Sequence, residues 1–501
     1  MCRSERRKTL RQDRKQVLAF DFGASSGRAI LASLEDGKIV MEEVHRFSND
    51  PVFIGNTMYW DTLRQFFEIK QGMLKAKQKG GFESVGIDTW GVDFGLLDEH
   101  GALLESAVHY RDDRTLGRQE EVFKVMPKDE LYELTGVQFE NFNTVFQLYS
   151  LVQDRPWLLE RADKLLLTPD LFNYFLTGEK KAEYTMSTTT QLMDIRNKEW
   201  SDKILNRLSI PRKLFPEIIL SGTVVGTIDQ KICDELGIAP AKVVAVASHD
   251  TQSAVAAVPT QEDDFIFISC GTWSLFGTEL KSPVIGKESY ELNVSNEGGY
   301  GGTYNFLKNI IGLWLAQESR RQWAREGKDY SFGELEQLAR KAEPFLSFID
   351  PDSPEFNSAG DIPGRIRAFC ERTGQKVPQT QGDIMCCINQ SLALKYRYTL
   401  EQIEACTGKQ FPMINMIGGG IQSGLLCQMT ASASKRKVLA GPVEATALGN
   451  IAVQMMSLGE IKNLKEARRI IADSEQTYEY LPKDGQKWDT AYEKFKSIIQ
   501  K

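Results

Sequence analysis

The sequence predicts a mixed α/β protein of two domains, on three observations. The chain has 501 residues, more than one hydrophobic core usually serves. It opens on a succession of strand, turn, strand, turn, strand, helix and strand. After residue 265 the same sequence of apolar run, small-residue turn and second apolar run returns. Composition agrees: 42% hydrophobic, 26% charged and 10% aromatic residues exclude a disordered, collagenous or coiled-coil chain.

The elements follow in order. Residues 17–22 (VLAFDF) are a short apolar run with an acid near its end. GASSG (23–27) turns the chain, and 28–33 begin a second strand. Asp36 and Gly37 are a two-residue hairpin signal, followed by a third strand over 38–45. The spacing predicts a helix over 61–79, with Leu63, Phe66, Phe67, Ile69 and Leu74 on its apolar face. A strand over 84–88, a loop from Thr89 to Asp93, and a strand through Leu97 come next. Residues 110–240 read as helical insertions carrying Trp157, Tyr174 and Trp200. An apolar strand over 243–247 then leads into SHDT (248–251) and a helix over 251–258. PTQEDD (259–264) is charged, contains proline and suits a connector, which divides the chain into domains 17–258 and 259–501. In the second half come FIFIS (265–269), a turn at 271–274, a strand over 275–280, and a helix over 312–326. A strand over 413–417 runs into Gly418, Gly419 and Gly420 and a helix from Gln422. A small-residue turn after the opening strand of each half reads as a structural duplication. The tail from Leu464 is helical and amphipathic, with a break at 482–485.

A net charge of −7 argues against a polyanion-binding surface. Eight cysteines without a C-x-x-C pair suit a reducing, cytoplasmic compartment and offer no zinc knuckle. Cys370 and Cys387, seventeen apart, can approach one another. No stretch of eighteen apolar residues occurs, so no membrane span is expected. Residues 1–16 carry seven Lys/Arg against two Asp/Glu. They have the charge of a signal peptide but no apolar region behind it, and read as a disordered basic extension.

Five segments carry chemistry. In DFGASSGR (21–28), a strand-end acid can hold a hydrated Mg²⁺, while glycines, hydroxyls and an arginine offer donors to a phosphate; a capped hairpin turn is the alternative. IDTWGVDF (87–94) places polar groups and an indole at a strand end, suited to a sugar or equally to a bulge with a packed tryptophan. VVAVASHDT (243–251) delivers His249, Asp250 and Thr251 to the carboxyl end of an apolar strand, where α/β sheets present reactive groups. Asp250 then reads as a base for a substrate hydroxyl or as the N-cap of the next helix; the two roles are compatible. GTWS (271–274) looks like a second phosphate-contacting hairpin. The triple glycine at 418–420 lies between strand and helix, where bare backbone can border a nucleotide. No P-loop, Gly-x-Ser-x-Gly elbow or H-R-D motif is present.

Taken in order, these segments together with YRDDRT (110–115), EYTMSTTTQL (183–192), NEGG (296–299) and LKNIIGLWLAQ (307–317) resemble the FGGY family of carbohydrate kinases over nearly the whole chain from Val17. The resemblance implies two actin-like (RNase H-like) domains with a catalytic cleft between them, acting on a small-molecule sugar and ATP. It implies Mg²⁺ as cofactor, at Asp21. Asp250 matches the catalytic base that deprotonates a ketose C1 hydroxyl as it attacks the γ-phosphorus. Gly91, His249, Thr251 and Asn309 match sugar contacts. Ala24, Ser25, Ser26, Gly27 and Arg28 match the first phosphate loop, and Thr272, Gln317 and Gly419 match other nucleotide contacts. The expected sugar is L-rhamnulose, with L-fuculose or L-xylulose as alternatives, and the expected state is monomer or homodimer, without nucleic acid or membrane. Relatives often carry an asparagine shortly after the triple glycine, where this chain reads Ile421, Gln422 and Ser423. A chaperone-type actin-like ATPase is the competing class; such proteins have no need of the HDT tripeptide.

Overall fold

The apolar residues 17–22 are buried on both sides because their strand, Gln16–Phe22, runs through the middle of a six-stranded sheet. The structure, a computed structural model, describes residues 15–499. Most of the basic extension, residues 1–14, lies outside the described residues. The last two residues of that expected disordered segment are ordered instead. Lys15 pairs with Glu460 at 2.6 Å, and Gln16 already belongs to the strand.

The chain folds as two units. The first comprises the described residues up to Ala257, with Leu280–Asn305 and Ala445–Ser474; the second comprises Val258–Glu279, Phe306–Glu444 and the described residues from Glu475 on. The chain thus returns twice to the first unit after leaving it.

In the first unit the strands run in the order Val224–Thr227, Lys242–Val244, Ser84–Thr89, Gln16–Phe22, Ser26–Glu35, Lys38–Ser48. Gln16–Phe22 pairs antiparallel with Ser26–Glu35 and parallel with Ser84–Thr89, which in turn runs parallel to Lys242–Val244. Asp36 (φ 49°) and Gly37 (φ 80°) make the hairpin turn, both in the left-handed region that a two-residue turn between twisted strands requires. The helix Thr62–Gln78 forms as expected, capped by the Asp61 carboxylate on the Arg64 N–H. Its buried face differs from the expected one: Leu63 and Phe67 are exposed, while Gln65, Glu68, Ile69, Gly72, Met73 and Ala76 turn inward. Gly72 has no side chain where a Cβ would crowd the Phe20 ring, so the helix backbone lies close on the sheet. Of the buried polar pair, Gln65 donates from Nε2 to Asn49 Oδ1 while its Oε1 has no partner, and Glu68 Oε2 bonds with His45 Nε2. Phe94–Leu97 leaves the main sheet and pairs with Lys164–Leu167, beside an apolar core built from the helical insertions.

The second unit repeats the same internal grammar. Ile266–Cys270 and Trp273–Leu280 form a hairpin, Met413–Ile417 runs parallel to the first of them, and Lys437–Ala440 runs parallel to Met413–Ile417. Tyr304–Ile311 flanks the hairpin, and Tyr478–Tyr480 closes the other edge antiparallel to Lys437–Ala440. That last strand falls in the tail expected to be helical; the tail's helices are Leu464–Ser474 and Gly485–Ile499. Cys370 and Cys387 are free, buried thiols in hydrogen-bonding contact between two helices. Among the described residues no helix is long and apolar enough to cross a membrane.

Candidate active site

Three parallel lines of chain in the first unit end side by side, and each delivers an acid. Asp21 stands opposite Arg28 on the antiparallel neighbour and opposite Asp88 on the parallel one, so the three side chains share a face. Arg28 donates from Nε and Nη2 to Asp21 Oδ2, at 3.0 and 2.7 Å. Asp88 is fully buried; its Oδ2 accepts from Asn450 Nδ2 at 2.6 Å, and its Oδ1 has no hydrogen-bond partner. Burial, and next the negative charge of Asp21, hold the Asp88 carboxyl well above the usual carboxylate range. The third line carries apolar residues 243–247 past Val244 to a parallel bridge between Thr89 and His249, with Thr89 N–H donating to the Ser248 carbonyl at 2.9 Å.

Asp250 follows at once. His249, not Asp250, stands at the N-cap position of the helix Asp250–Ala256, with no capping bond from its side chain, so the expectation of Asp250 as N-cap is corrected: it is the first helical residue. Its Oδ1 accepts from Thr251 N–H at 2.5 Å, and a third of its side-chain surface stays open. Burial raises its carboxyl, His249 opposes that, and Asp21 adds to it. His249 reaches Asp250 Oδ1 with Nε2 at 3.4 Å and Glu297 Oε2 with Nδ1 at 3.2 Å. Burial disfavours a charged imidazole, yet Glu297, Asp250 and Glu183 together raise its pKa above the ordinary value.

The loop holding Gly91 is built around a buried carboxylate. Asp93 Oδ2 accepts from Trp60 Nε1 (2.7 Å), Trp90 Nε1 (2.9 Å) and Tyr110 N–H (3.1 Å), and Oδ1 from Gln147 Nε2 (3.1 Å). Burial pushes its pKa up to about 6 against these bonds. Val92 is held at φ 70°, a strained conformation for a β-branched residue, by a bond from its N–H to Thr189 Oγ1 and one from Thr144 Oγ1 to its carbonyl. A Cβ on Gly91 would crowd Thr189 at 3.1 Å. Trp90 is not an open stacking platform: it is 7% exposed, with its ring centroid 4.0 Å from that of Trp60. In the first phosphate-type turn, Ser25 and Ser26 are exposed while Gly23 N–H donates to the Ser26 carbonyl.

A second group gathers within the second unit. Thr272 Oγ1 donates to Gln317 Oε1 at 3.3 Å, and the Gly271 and Thr272 carbonyls accept from the Leu313 and Gly312 N–H groups. Gly418 (φ 86°) passes against the Cys270 carbonyl, leaving Gly419 exposed beside this hairpin. Ser423 caps the helix Gly424–Ser434 rather than standing free, and Gly419–Gln422 form a short turn before it. Asn309 lies half-buried on Tyr304–Ile311.

Sequence reading named Asp21, Arg28, His249, Asp250 and Thr251, which the structure gathers in the first unit, and Thr272, Gln317 and Gly419, which it gathers in the second. It missed Asp88, Asp93, Glu297 and Asn450. Asp88 and Asp93 lay inside a quoted motif, and strand alternation alone could have put Asp88 on the face of Asp21. Glu297 also lay inside a quoted motif, NEGG (296–299), but nothing local ties it to His249, and Asn450 is remote in sequence and carries no local signal. The residues fit a divalent cation: Asp88 Oδ1 is a buried oxygen without a partner beside the Asp21 carboxylate. Among the described residues no three ligating side chains close on one point, so water or phosphate oxygens would complete its shell.

Two family models match successive stretches of the chain. Residues 16–257 match the N-terminal domain, and 266–458 the C-terminal domain, of the FGGY family of carbohydrate kinases. The chain is 40% identical over 488 residues to a rhamnulokinase of Bacteroides thetaiotaomicron, covering 97% of this chain and 100% of the relative. It is 42% identical to a rhamnulokinase of Oceanobacillus iheyensis, over 92% of this chain and 97% of the relative. Among solved structures it is similar to gluconate kinase from Lactobacillus acidophilus (TM-score 0.80, 15% identity, 97% and 98% covered). It is also similar to Plasmodium falciparum glycerol kinase with ADP (TM-score 0.77, 14% identity, 97% and 98% covered). With ordered motifs, domain matches and full-length relatives in agreement, the chain belongs to the FGGY family of carbohydrate kinases.

Proposed function

We propose that the protein transfers the γ-phosphoryl group of ATP to the C1 hydroxyl of L-rhamnulose in the cytoplasm, giving L-rhamnulose 1-phosphate and ADP. The observation that carries this reading is Asp250, a carboxylate left one-third open at the end of a buried strand, with His249 against it. The name shared by the full-length relatives supports the choice of sugar.

Phosphoryl transfer needs alignment and charge neutralisation more than covalent help. Gly91, His249, Thr251 and Asn309 hold the ketose, and the backbone of Gly91 can approach it because no Cβ intervenes. Asp250 accepts the C1 hydroxyl proton as that oxygen attacks the γ-phosphorus; the bond to the bridging oxygen of ADP breaks. Ala24, Ser25, Ser26, Gly27 and Arg28 face phosphate oxygens, and Thr272, Gln317 and Gly419 border the nucleotide. Asp21 and Asp88 would hold Mg²⁺, which when bound neutralises phosphate charge.

Purified protein given ATP and a ketose panel should release ADP fastest with L-rhamnulose. A methyl is told from a hydroxymethyl by only about 1–3 kcal/mol, so L-fuculose and L-xylulose should turn over more slowly rather than not at all. In the same assay Asp250→Asn should lower kcat by about a hundredfold or more while ketose binding persists. A clear preference for L-fuculose overturns the sugar, and near-normal turnover of the variant removes Asp250 from the base role.

A further inference from the structure

Glu297 belongs to the NEGG segment, which the mechanism above leaves without a task. It stands on the strand Ser295–Gly298 with its side chain only 6% exposed. A carboxylate that deeply buried needs compensating partners. Gln252 Nε2 donates to Oε2 at 2.8 Å, and His249 Nδ1, a buried nitrogen that makes no hydrogen bond, lies at ion-pair distance from the same oxygen, 3.2 Å. Gln252 is fixed in turn by Asn305 Nδ2, which donates to its Oε1. The other ring nitrogen of His249 lies 3.4 Å from Asp250 Oδ1. Glu297, His249 and Asp250 therefore form a line of carboxylate, imidazole and carboxylate, tied at its far end to a buried amide network.

We infer that Glu297 is a positioning residue for phosphoryl transfer: it holds His249 as an imidazolium facing Asp250, and so keeps the base ionised and aimed at the substrate. This rests on the reading of Asp250 as the base. Burial opposes a charged imidazole, and the carboxylates around it favour that form. Glu297 faces it from one strand and Asp250 from its own helix. Glu183, whose Oε2 accepts from Ser248 N–H at 3.3 Å, adds negative charge from the segment before Tyr184, and Asp21 lies beyond Asp250. Thr185 Oγ1 accepts from His249 N–H at 3.2 Å and fixes the backbone. The imidazolium opposes the burial that raises the Asp250 carboxyl. Without the Glu297 charge His249 becomes neutral at a lower pH, and Asp250 then takes up a proton at a higher one.

The test is Glu297→Gln in the full-length enzyme, which removes the charge but keeps an acceptor for Gln252. The expected result is kcat lowered by about tenfold to a hundredfold with KM for the ketose changed by less than about threefold. The acid limb of kcat/KM should move up by about one pH unit. Glu297→Asp, which retains the charge, should restore the limb to its wild-type position even if its rate is lower. Combined with His249→Gln, the Glu297→Gln change should add no further loss, because both act through one imidazole. An unmoved limb in Glu297→Gln, or losses that multiply in the double variant, overturns the proposal. Where Glu297→Gln does not fold, the limb of Glu297→Asp and that of His249→Gln decide alone: the first must match wild type and the second must lie higher. Absence of ketose-dependent turnover in the wild type overturns the kinase reading as well, whereas wild-type turnover with an unmoved limb overturns the role of Glu297 alone.

Discussion

Asp93 and Asp88 are both buried carboxylates in the TWGVD region, and their partners explain why they behave differently. Asp88 keeps one oxygen unpaired beside Asp21, which suits a site that meets a cation. Asp93 has four donors and builds the wall that holds Gly91. Its pKa of about 6 lies above the ordinary value near 3.8, so the folded state binds this proton more tightly than the unfolded chain does. Its contribution is therefore fullest below about pH 4, declines as pH rises to about 6, and is level above that. The span is on the order of 3 kcal/mol for a two-unit displacement. Thermal unfolding of the wild type and Asp93→Asn, scanned from pH 4 to 8, should show the variant gaining on the wild type up to about pH 6 and a constant difference thereafter. A difference that does not vary with pH would show that Asp93 does not titrate in that window.

At the scale of elements, helix contacts decide where the site residues stand. The Asp250–Ala256 helix is pinned by the helix Ala445–Ser457, whose Gly449 passes so close to Ser253 that a Cβ there would collide with the Ser253 carbonyl oxygen. Gly449→Ala should destabilise the protein by about 1–3 kcal/mol in denaturant unfolding, through overpacking that backbone atoms cannot relieve by changing rotamer. A variant as stable as wild type would mean the two helices are free to separate. The same helix brings Asn450 to Asp88 and Gln454 to Ser84 and the Leu18 carbonyl. The helix 62–78 makes the complementary point. Its period was legible, but its buried side was chosen by the small residues Gly72 and Ala76 and by polar bonds to Asn49 and His45, which hydrophobic counting does not weigh.

At the scale of the molecule, the first unit is completed by chain that lies far along the sequence. A fragment of residues 17–258 carries Asp21, Asp88 and Asp250 but lacks the segment that supplies Asn450 and Gln454 and the strand that supplies Glu297. It leaves buried polar groups of the central strands without partners, at about 1–3 kcal/mol each. Such a fragment should show no cooperative thermal transition by circular dichroism and should aggregate; a cooperative melt like that of the whole chain would mean the later segments are dispensable. Sequence by itself determined what is encoded locally: the strand–turn–strand succession that opens each half, the Asp36–Gly37 turn, and the strand that leads to His249 and Asp250, because alternation, turn chemistry and apolar runs act over a few residues. Only the tertiary structure decided which acids share a face, that His249 takes the cap position, that Trp90 is packed away, and that Glu297 and Asn450 reach the site. Those outcomes depend on strand register and on close contacts between distant segments, which no window of the sequence contains.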